Sequence, residues 1–440
     1  MTTPIFDFVK KYAESKTTRF HMPGHKGVGE LGCEAYDITE IKGADVLYSA
    51  DGIINDSENN LSSLYGTAHS FYSTEGSTLA IKAMLALVSE RGEGERPLIL
   101  AARNVHTAFI KAAALLDLEI EFIYPEREGH LCECNITSEM LFDRLKECEQ
   151  LPSAVYVTSP DYLGNMLDIK ALSKVCREFG LPLLVDNAHG AYLKFLPKDQ
   201  HPITLGAAMC SDSAHKTLPV LTGGAYLHIS KDYSEYAERV REALSLFAST
   251  SPSYLTLCSL DLCNKRLADG YAEEICNLSK KVAEIKEKIA DLGLDVRESE
   301  PLKIVLRVGK SLAQHLNNNN IEVEFADNDY TVLMLTPENS DNDLERLISA
   351  LASYEKHGEE RKYMSVKPHE RAISVRRAIL SPSELISVEE SPGRILASPT
   401  VSCPPAVPVV VSGEIITEED IAIFRHYGID TISVIKTDSK

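Results

Sequence analysis

Ala154-Val-Tyr-Val-Thr158, the amphipathic run from Ile169 to Phe179, and Leu181-Pro-Leu-Leu-Val185 follow one another along the chain. Short apolar runs rich in β-branched residues read as buried strands, and the spaced apolar positions between them read as a helix. The three segments make one βαβ unit. The same alternation precedes it, with a strand over Leu98–Ala102, a helix over His106–Leu116 and a strand over Ile120–Tyr124. From about 61 to 260 the pattern implies an α/β fold, a mostly parallel sheet with helices on both faces. Sites on such sheets lie at the carboxyl ends of the strands. The second strand of the unit runs directly into Asp186-Asn-Ala-His189, and His106 falls at the end of another.

The chain has 440 residues, enough for several domains and a large core. Its 45 basic against 65 acidic residues give a formal charge of −20. That balance argues against nucleic acid as a partner and against an anionic membrane surface. No apolar run is long enough to span a bilayer, and Met1 to Lys11 lacks the apolar core of a signal peptide. The ten cysteines are scattered without paired zinc spacing, so reduced thiols in a cytoplasm are expected and structural metal is not.

Around the large domain at 61–292, the texture changes. Residues 1–60 hold a short helical pattern (Phe6, Phe8, Val9, Tyr12) and the loop Phe20-His-Met-Pro-Gly-His-Lys-Gly27. Pro and Gly there prevent the helix that would bring His21 and His25 together on a metal. A long helical stretch over about 260–292 leads into a small α/β domain at 293–360. That domain has a strand over Leu302–Val308, a hairpin around Asp327-Asn-Asp329 and a helix over Leu344–Tyr354, with Asn317–Asn320 as a loop. A charged linker from Glu355 to Lys362 precedes a Pro-rich C-terminal domain at 361–440.

The chemistry concentrates in Ser211-Asp-Ser-Ala-His-Lys216-Thr-Leu-Pro219. A Lys preceded closely by Ser and His, thirty residues after an Asp that ends an apolar strand, is the layout of a pyridoxal-phosphate (PLP) site. The cofactor requires an amine for its aldehyde, an anion for its pyridine nitrogen and donors for its phosphate. Lys216 would be the Schiff-base lysine and Asp186 the partner of the pyridine nitrogen, although an Asp after a strand equally caps a helix. Ala188 is small enough to pack on a ring face, and His189 falls near the aldehyde end. Gly76-Ser77-Thr78 opens an amphipathic helix, as a phosphate site or as a plain cap. Ser213 and His215 would add phosphate contacts. Glu75 is out of character beside a phosphate, which an acid there repels unless it points away. His106 would stack on the cofactor ring or serve as a structural histidine.

With these residues in place, the chain resembles the ornithine/lysine/arginine decarboxylase family of aspartate-aminotransferase-like, fold-type I PLP enzymes. The likeness runs over nearly the whole length. It rests on Phe20 to Gly27, Gly76 to Thr78, Arg103-Asn-Val-His106, Asp186 to His189, Ser213-Ala-His-Lys216 and Thr250-Ser-Pro-Ser-Tyr254. The tail segments Gly393-Arg-Ile395, Cys403-Pro-Pro-Ala-Val-Pro408 and Ser412-Gly-Glu414 carry it further.

The resemblance implies PLP on Lys216, Asp186 on the pyridine nitrogen, His106 on the ring, and phosphate contacts from Ser77, Thr78, Ser213 and His215. It implies a homodimer with a shared active site, Ser249 and the residues after it reaching a neighbouring subunit's phosphate, with higher oligomers open. It also implies a short biosynthetic form without an N-terminal wing. The expected reaction is decarboxylation of a basic L-amino acid in polyamine biosynthesis, arginine to agmatine first, with lysine and ornithine as alternatives. The same scaffold supports aminotransferases and lyases, and a catalytically inactive PLP-binding subunit is the non-enzymatic alternative.

Overall fold

The computed structural model describes residues 1–90, 96–127, 129–355, 364, 366–399 and 406–436. The chain forms two compact units, each assembled from two stretches. One comprises Met1–Leu87 and Pro182–Cys276, the other Val88–Leu181 and Asn277–Lys440. The strands up to residue 229 are β1 (His69–Ser73), β2 (Leu98–Ala102), β3 (Glu119–Ile123), β4 (Ala154–Thr158), β5 (Leu183–Asp186), β6 (Met209–Asp212) and β7 (Ala225–Ile229).

In the first unit the strand order is β1-β7-β6-β5. β5 and β6 are parallel, with Asp186 opposite Ser211 where the ladder ends. β7 runs antiparallel to β6 and β1. Both β5 and β6 are buried throughout, the signature of parallel strands covered on two faces. In the second unit β4-β2-β3 are parallel. This is the α/β architecture, with its mostly parallel pairing, that the sequence implies. The helices α1 (Pro4–Glu14), α3 (Gly76–Val88) and α4 (Thr107–Leu116) match the helical runs read from the sequence, while α2 (Ile53–Tyr65) was not read there.

The long helical stretch expected over 260–292 is instead two helices, Tyr254–Ala268 and Tyr271–Asp291. Gly270 between them has φ +81°, a left-handed conformation that ends a helix at little cost for glycine. The first of these helices anchors the N-terminus. Its buried Asp261 accepts hydrogen bonds from the backbone N–H groups of Ile5 and Phe6, both at 2.9 Å, and from the Ser57 hydroxyl. Pro4 has no N–H to satisfy there, so one carboxylate serves the first turn of α1.

Asp261→Ala removes the acceptor of two backbone N–H groups and of the Ser57 hydroxyl and should lower unfolding free energy by about 2–4 kcal/mol, read from a denaturant titration. Burial holds this carboxyl at about 6, above its ordinary value. The folded chain therefore binds that proton more tightly than the unfolded chain does. The contribution is full below the ordinary aspartate range and is lost as pH rises through 6, a dependence that the alanine variant should lack.

In the second unit β8 (Val296–Arg297), β9 (Lys303–Leu306), β10 (Phe325–Ala326) and β11 (Thr331–Met334) form an antiparallel sheet in the order β10-β11-β9-β8. Asp327 accepts the backbone N–H groups of Asp329 and Tyr330 at 2.8 Å each and so shapes the expected hairpin turn. Asn317 and Asn318, expected in a loop, are instead the last turn of the helix Lys310–Asn318. The C-terminal stretch also holds a sheet the Pro-rich composition hid: β12 (Ser383–Ser387), β13 (Leu396–Ser398) and β14 (Thr431–Ile435), in the order β12-β14-β13. Val388, Leu396, Phe424, Ile432 and Val434 form its core. Most of the charged linker and the Cys403-Pro-Pro motif lie outside the described residues. Among the described residues no helix is long and apolar enough to cross a membrane.

Candidate active site

The two adjacent parallel strands β5 and β6 release their chains on the same edge of the sheet. Asp186 is the last residue of β5 and is buried. Its Oδ1 accepts the backbone N–H of Ala188 at 3.2 Å, so a short turn orients the carboxylate. β6 ends at Asp212, and the one-turn helix Ala214–Thr217 follows it. That turn carries Lys216, whose Nζ lies 3.1 Å from His189 Nε2. The sequence motifs thirty residues apart are thereby brought together, with amine and imidazole in hydrogen-bonding contact.

The hydroxyl of Ser213 donates to that of Ser77 at 2.8 Å. Ser77 and Thr78 sit in the first turn of α3, where the helix dipole and unpaired N–H groups favour an anion. Gly76 begins that helix with φ +72°, and its N–H donates to the carbonyl of Gly223 at 2.7 Å. His215 is fixed by its Nδ1, which donates to the carbonyl of Gly224 at 3.0 Å.

Glu75, the acid that sat awkwardly beside a phosphate, is exposed and directed elsewhere. Its Oε1 accepts the backbone N–H of Ser249 at 2.8 Å. The carboxylate thus holds the segment that bears Ser249. Among the expected site residues, only His106 belongs to the second unit. There it is the N-cap of α4, its Nδ1 accepting the N–H of Ala108 at 3.1 Å. In the same motif, Arg103 donates to the carbonyls of Pro408 and Val409 at 2.9 and 2.7 Å. His21 and His25 take separate partners, Tyr12 at 2.6 Å and Asp37 at 3.2 Å.

Sequence reasoning missed a polar cluster behind these residues. Asp212, His201 and His228 are 0 % exposed. Asp212 Oδ2 lies 3.0 Å from His201 Nε2 and 3.3 Å from His228 Nε2. Its Oδ1 accepts from Asn187 Nδ2 at 2.8 Å and from the Cys210 thiol at 3.1 Å. Burial alone would raise this carboxyl, but the two histidines outweigh it and hold Asp212 well below the usual carboxylate range. Burial pushes His228 down and Cys210 up, which keeps the first neutral and the second a thiol. The sequence offered one hint, an Asp between Ser211 and Ser213 at the end of an apolar strand.

Two family models match the chain. One, described as Orn/Lys/Arg decarboxylase, major domain, covers residues 3–306; the other, the C-terminal domain of the same family, covers 354–429. An arginine decarboxylase of Bacillus subtilis is 30% identical over 96% of this chain and 93% of its own length. An arginine decarboxylase of Halalkalibacterium halodurans is 29% identical with the same coverage. A crystal structure of a Francisella novicida lysine decarboxylase superposes with a TM-score of 0.82, covering 99% of this chain and 81% of that one at 18% identity. The constitutive lysine decarboxylase of E. coli gives 0.77 at 16% identity, covering 99% and 82%. A serine palmitoyltransferase of Sphingomonas wittichii, at 0.57 and 17% identity over 80% and 83%, shares the fold.

Proposed function

The chain belongs to the Orn/Lys/Arg decarboxylase family, and from that premise we propose that it releases the α-carboxylate of a basic L-amino acid as CO2 with PLP as cofactor. Arginine is the first substrate, because the relatives matched over nearly their full length bear that name. Lysine and ornithine stand behind it. The observation that carries the reading is the 3.1 Å contact of Lys216 Nζ with His189 Nε2 beside the buried Asp186.

The residues present fit the cofactor. They offer an amine, a buried carboxylate, and hydroxyls at a helix N-terminus. A Cβ built on Gly76 would meet nothing within 4 Å, so the approach to that terminus is open. Bound PLP supplies an electron sink for the pair left on the α-carbon when CO2 departs.

The protein's residues do the rest. Lys216 supplies the amine that holds the aldehyde end. Asp186 keeps a proton on the pyridine nitrogen. Ser77, Thr78, Ser213 and His215, with the backbone at Gly76, take the phosphate. Ala188 packs on a ring face. His189 exchanges a proton with Lys216, and one of the two protonates the α-carbon once its bond to CO2 has broken. One proton enters as one CO2 leaves, so the amine forms with no oxidant or reductant. The role given to His106 stands on the family resemblance alone.

We place the chain in a homodimer. Phe20, Met22, Leu221 and Leu246 are 93, 60, 53 and 66% exposed, large apolar side chains that a second copy would cover. Ser249 lies three residues past Leu246, where a neighbouring subunit would meet it. A cytoplasmic location is in keeping with the absence of disulfides among the described cysteines.

The test is mass spectrometry of products from the PLP-loaded chain given arginine, lysine and ornithine separately. One dominant amine, agmatine for arginine, is the expected result. A keto acid without CO2 release would replace this reading with transamination, and no product from any of the three would remove the substrate class.

A further inference from the structure

The turn that aims Asp186 is pinned at its centre. The turn runs from Asp186 Oδ1 to the N–H of Ala188, so its middle residue is Asn187. The last backbone bond between the two strands is the N–H of Asn187 to the carbonyl of Ser211, at 2.9 Å. Just beyond it a side-chain contact continues the link between the two segments, from Asn187 Nδ2 to Asp212 Oδ1 at 2.8 Å. Asn187 is 0 % exposed. Gly190 makes room for its amide, since a Cβ there would fall 1.9 Å from Asn187 Oδ1.

Asp212 is itself immobilised. It is a buried carboxylate that accepts hydrogen bonds from His201, Cys210 and Asn187, with His228 Nε2 3.3 Å away. His201 Nδ1 accepts the N–H of Ile203, so its proton sits on Nε2 and points at Asp212. That arrangement favours a fixed anion over a metal centre, in which the ligating histidine donates its outer nitrogen's proton. With three hydrogen bonds and a buried histidine beside it, the carboxylate has little freedom to move.

We propose that Asp212 is a positioning residue for the reaction, holding Asp186 on the cofactor's pyridine nitrogen through the side chain of Asn187. Asp212 precedes Ser213 and stands four residues before Lys216, so the same bridge sets the spacing between the ring's anion and the segment bearing its amine. The inference rests on the proposal that PLP is the cofactor.

The test compares the full-length chain with Asn187→Ala and Asp212→Asn, reading PLP affinity by absorbance titration, apo-protein melting temperature, kcat and KM. In Asn187→Ala the carboxylate keeps its other donors, so the apo protein should melt close to wild type. Its PLP affinity should fall about tenfold, the scale of one buried hydrogen bond to a charge, and kcat should fall similarly with KM little changed. In Asp212→Asn the new amide can donate to Asn187 Oδ1, which has no hydrogen-bond partner, once that side chain turns over. The bridge persists there in reversed polarity, and the loss should be smaller, about threefold. Wild-type PLP affinity and kcat in Asn187→Ala would overturn the proposal. So would a larger loss in Asp212→Asn than in Asn187→Ala, since charge and not the bridge would then matter. Failure of the wild-type chain to bind PLP would remove the cofactor reading itself, an outcome separate from these.

Discussion

Lys216→Ala is expected to abolish amine formation, with kcat falling by at least about 10³-fold. In the proposed function the residue combines the anchoring amine with a proton donor, and no other amine stands on the one-turn helix after β6. The variant should still fold, because Lys216 is only partly buried and lies outside the apolar core. The measurements are single-turnover amine release and circular dichroism on the same sample. An intact fold with substantial activity would refute the assignment.

Asp186→Ala should bind PLP more weakly and lose about 10²–10³-fold in kcat, the usual scale for removing one preorganised electrostatic partner. Its carboxylate is the only charged group at the end of β5. In the proposed function, a ring without this partner would lose the proton on its pyridine nitrogen and with it the capacity to accept the α-carbon's electron pair. KM should change far less than kcat, because in the proposed function Asp186 acts on the cofactor and not on the substrate. A variant with wild-type kcat would show that another group protonates the ring.

What could be read from the sequence shares a physical basis. The strand Leu98–Ala102 was visible at its observed bounds because a buried parallel strand is a short uninterrupted apolar run. Asp186, His189 and Lys216 were legible because each stands where such a run gives way to polar residues. The break at Gly270 was missed because the apolar spacing continues on either side, and one glycine inside a helical pattern is often tolerated. The β12-β14-β13 sheet was hidden by prolines that lie between its strands. The partners of Asp212 were not legible at all. His228 reaches it because Cys210 pairs with His228 across β6 and β7, a register set by tertiary pairing. Glu75 was recognised as anomalous, but its acceptor role toward Ser249 depends on a contact across more than 170 residues of chain.

The first unit is discontinuous in sequence, drawn from Met1–Leu87 and Pro182–Cys276, and this has a consequence for a chain emerging from the ribosome. α3, with Ser77 and Thr78, is synthesised long before Asp186, Ser213 and Lys216 exist. β1 cannot pair until β7 appears, since His69 meets Ile229. Loop closure over such distances is slow, and an unpaired β1 edge waits exposed meanwhile. A nascent chain stalled before residue 216 would therefore hold α3 without Lys216, and on the proposed function cofactor capture would belong to the last stage of this unit's folding.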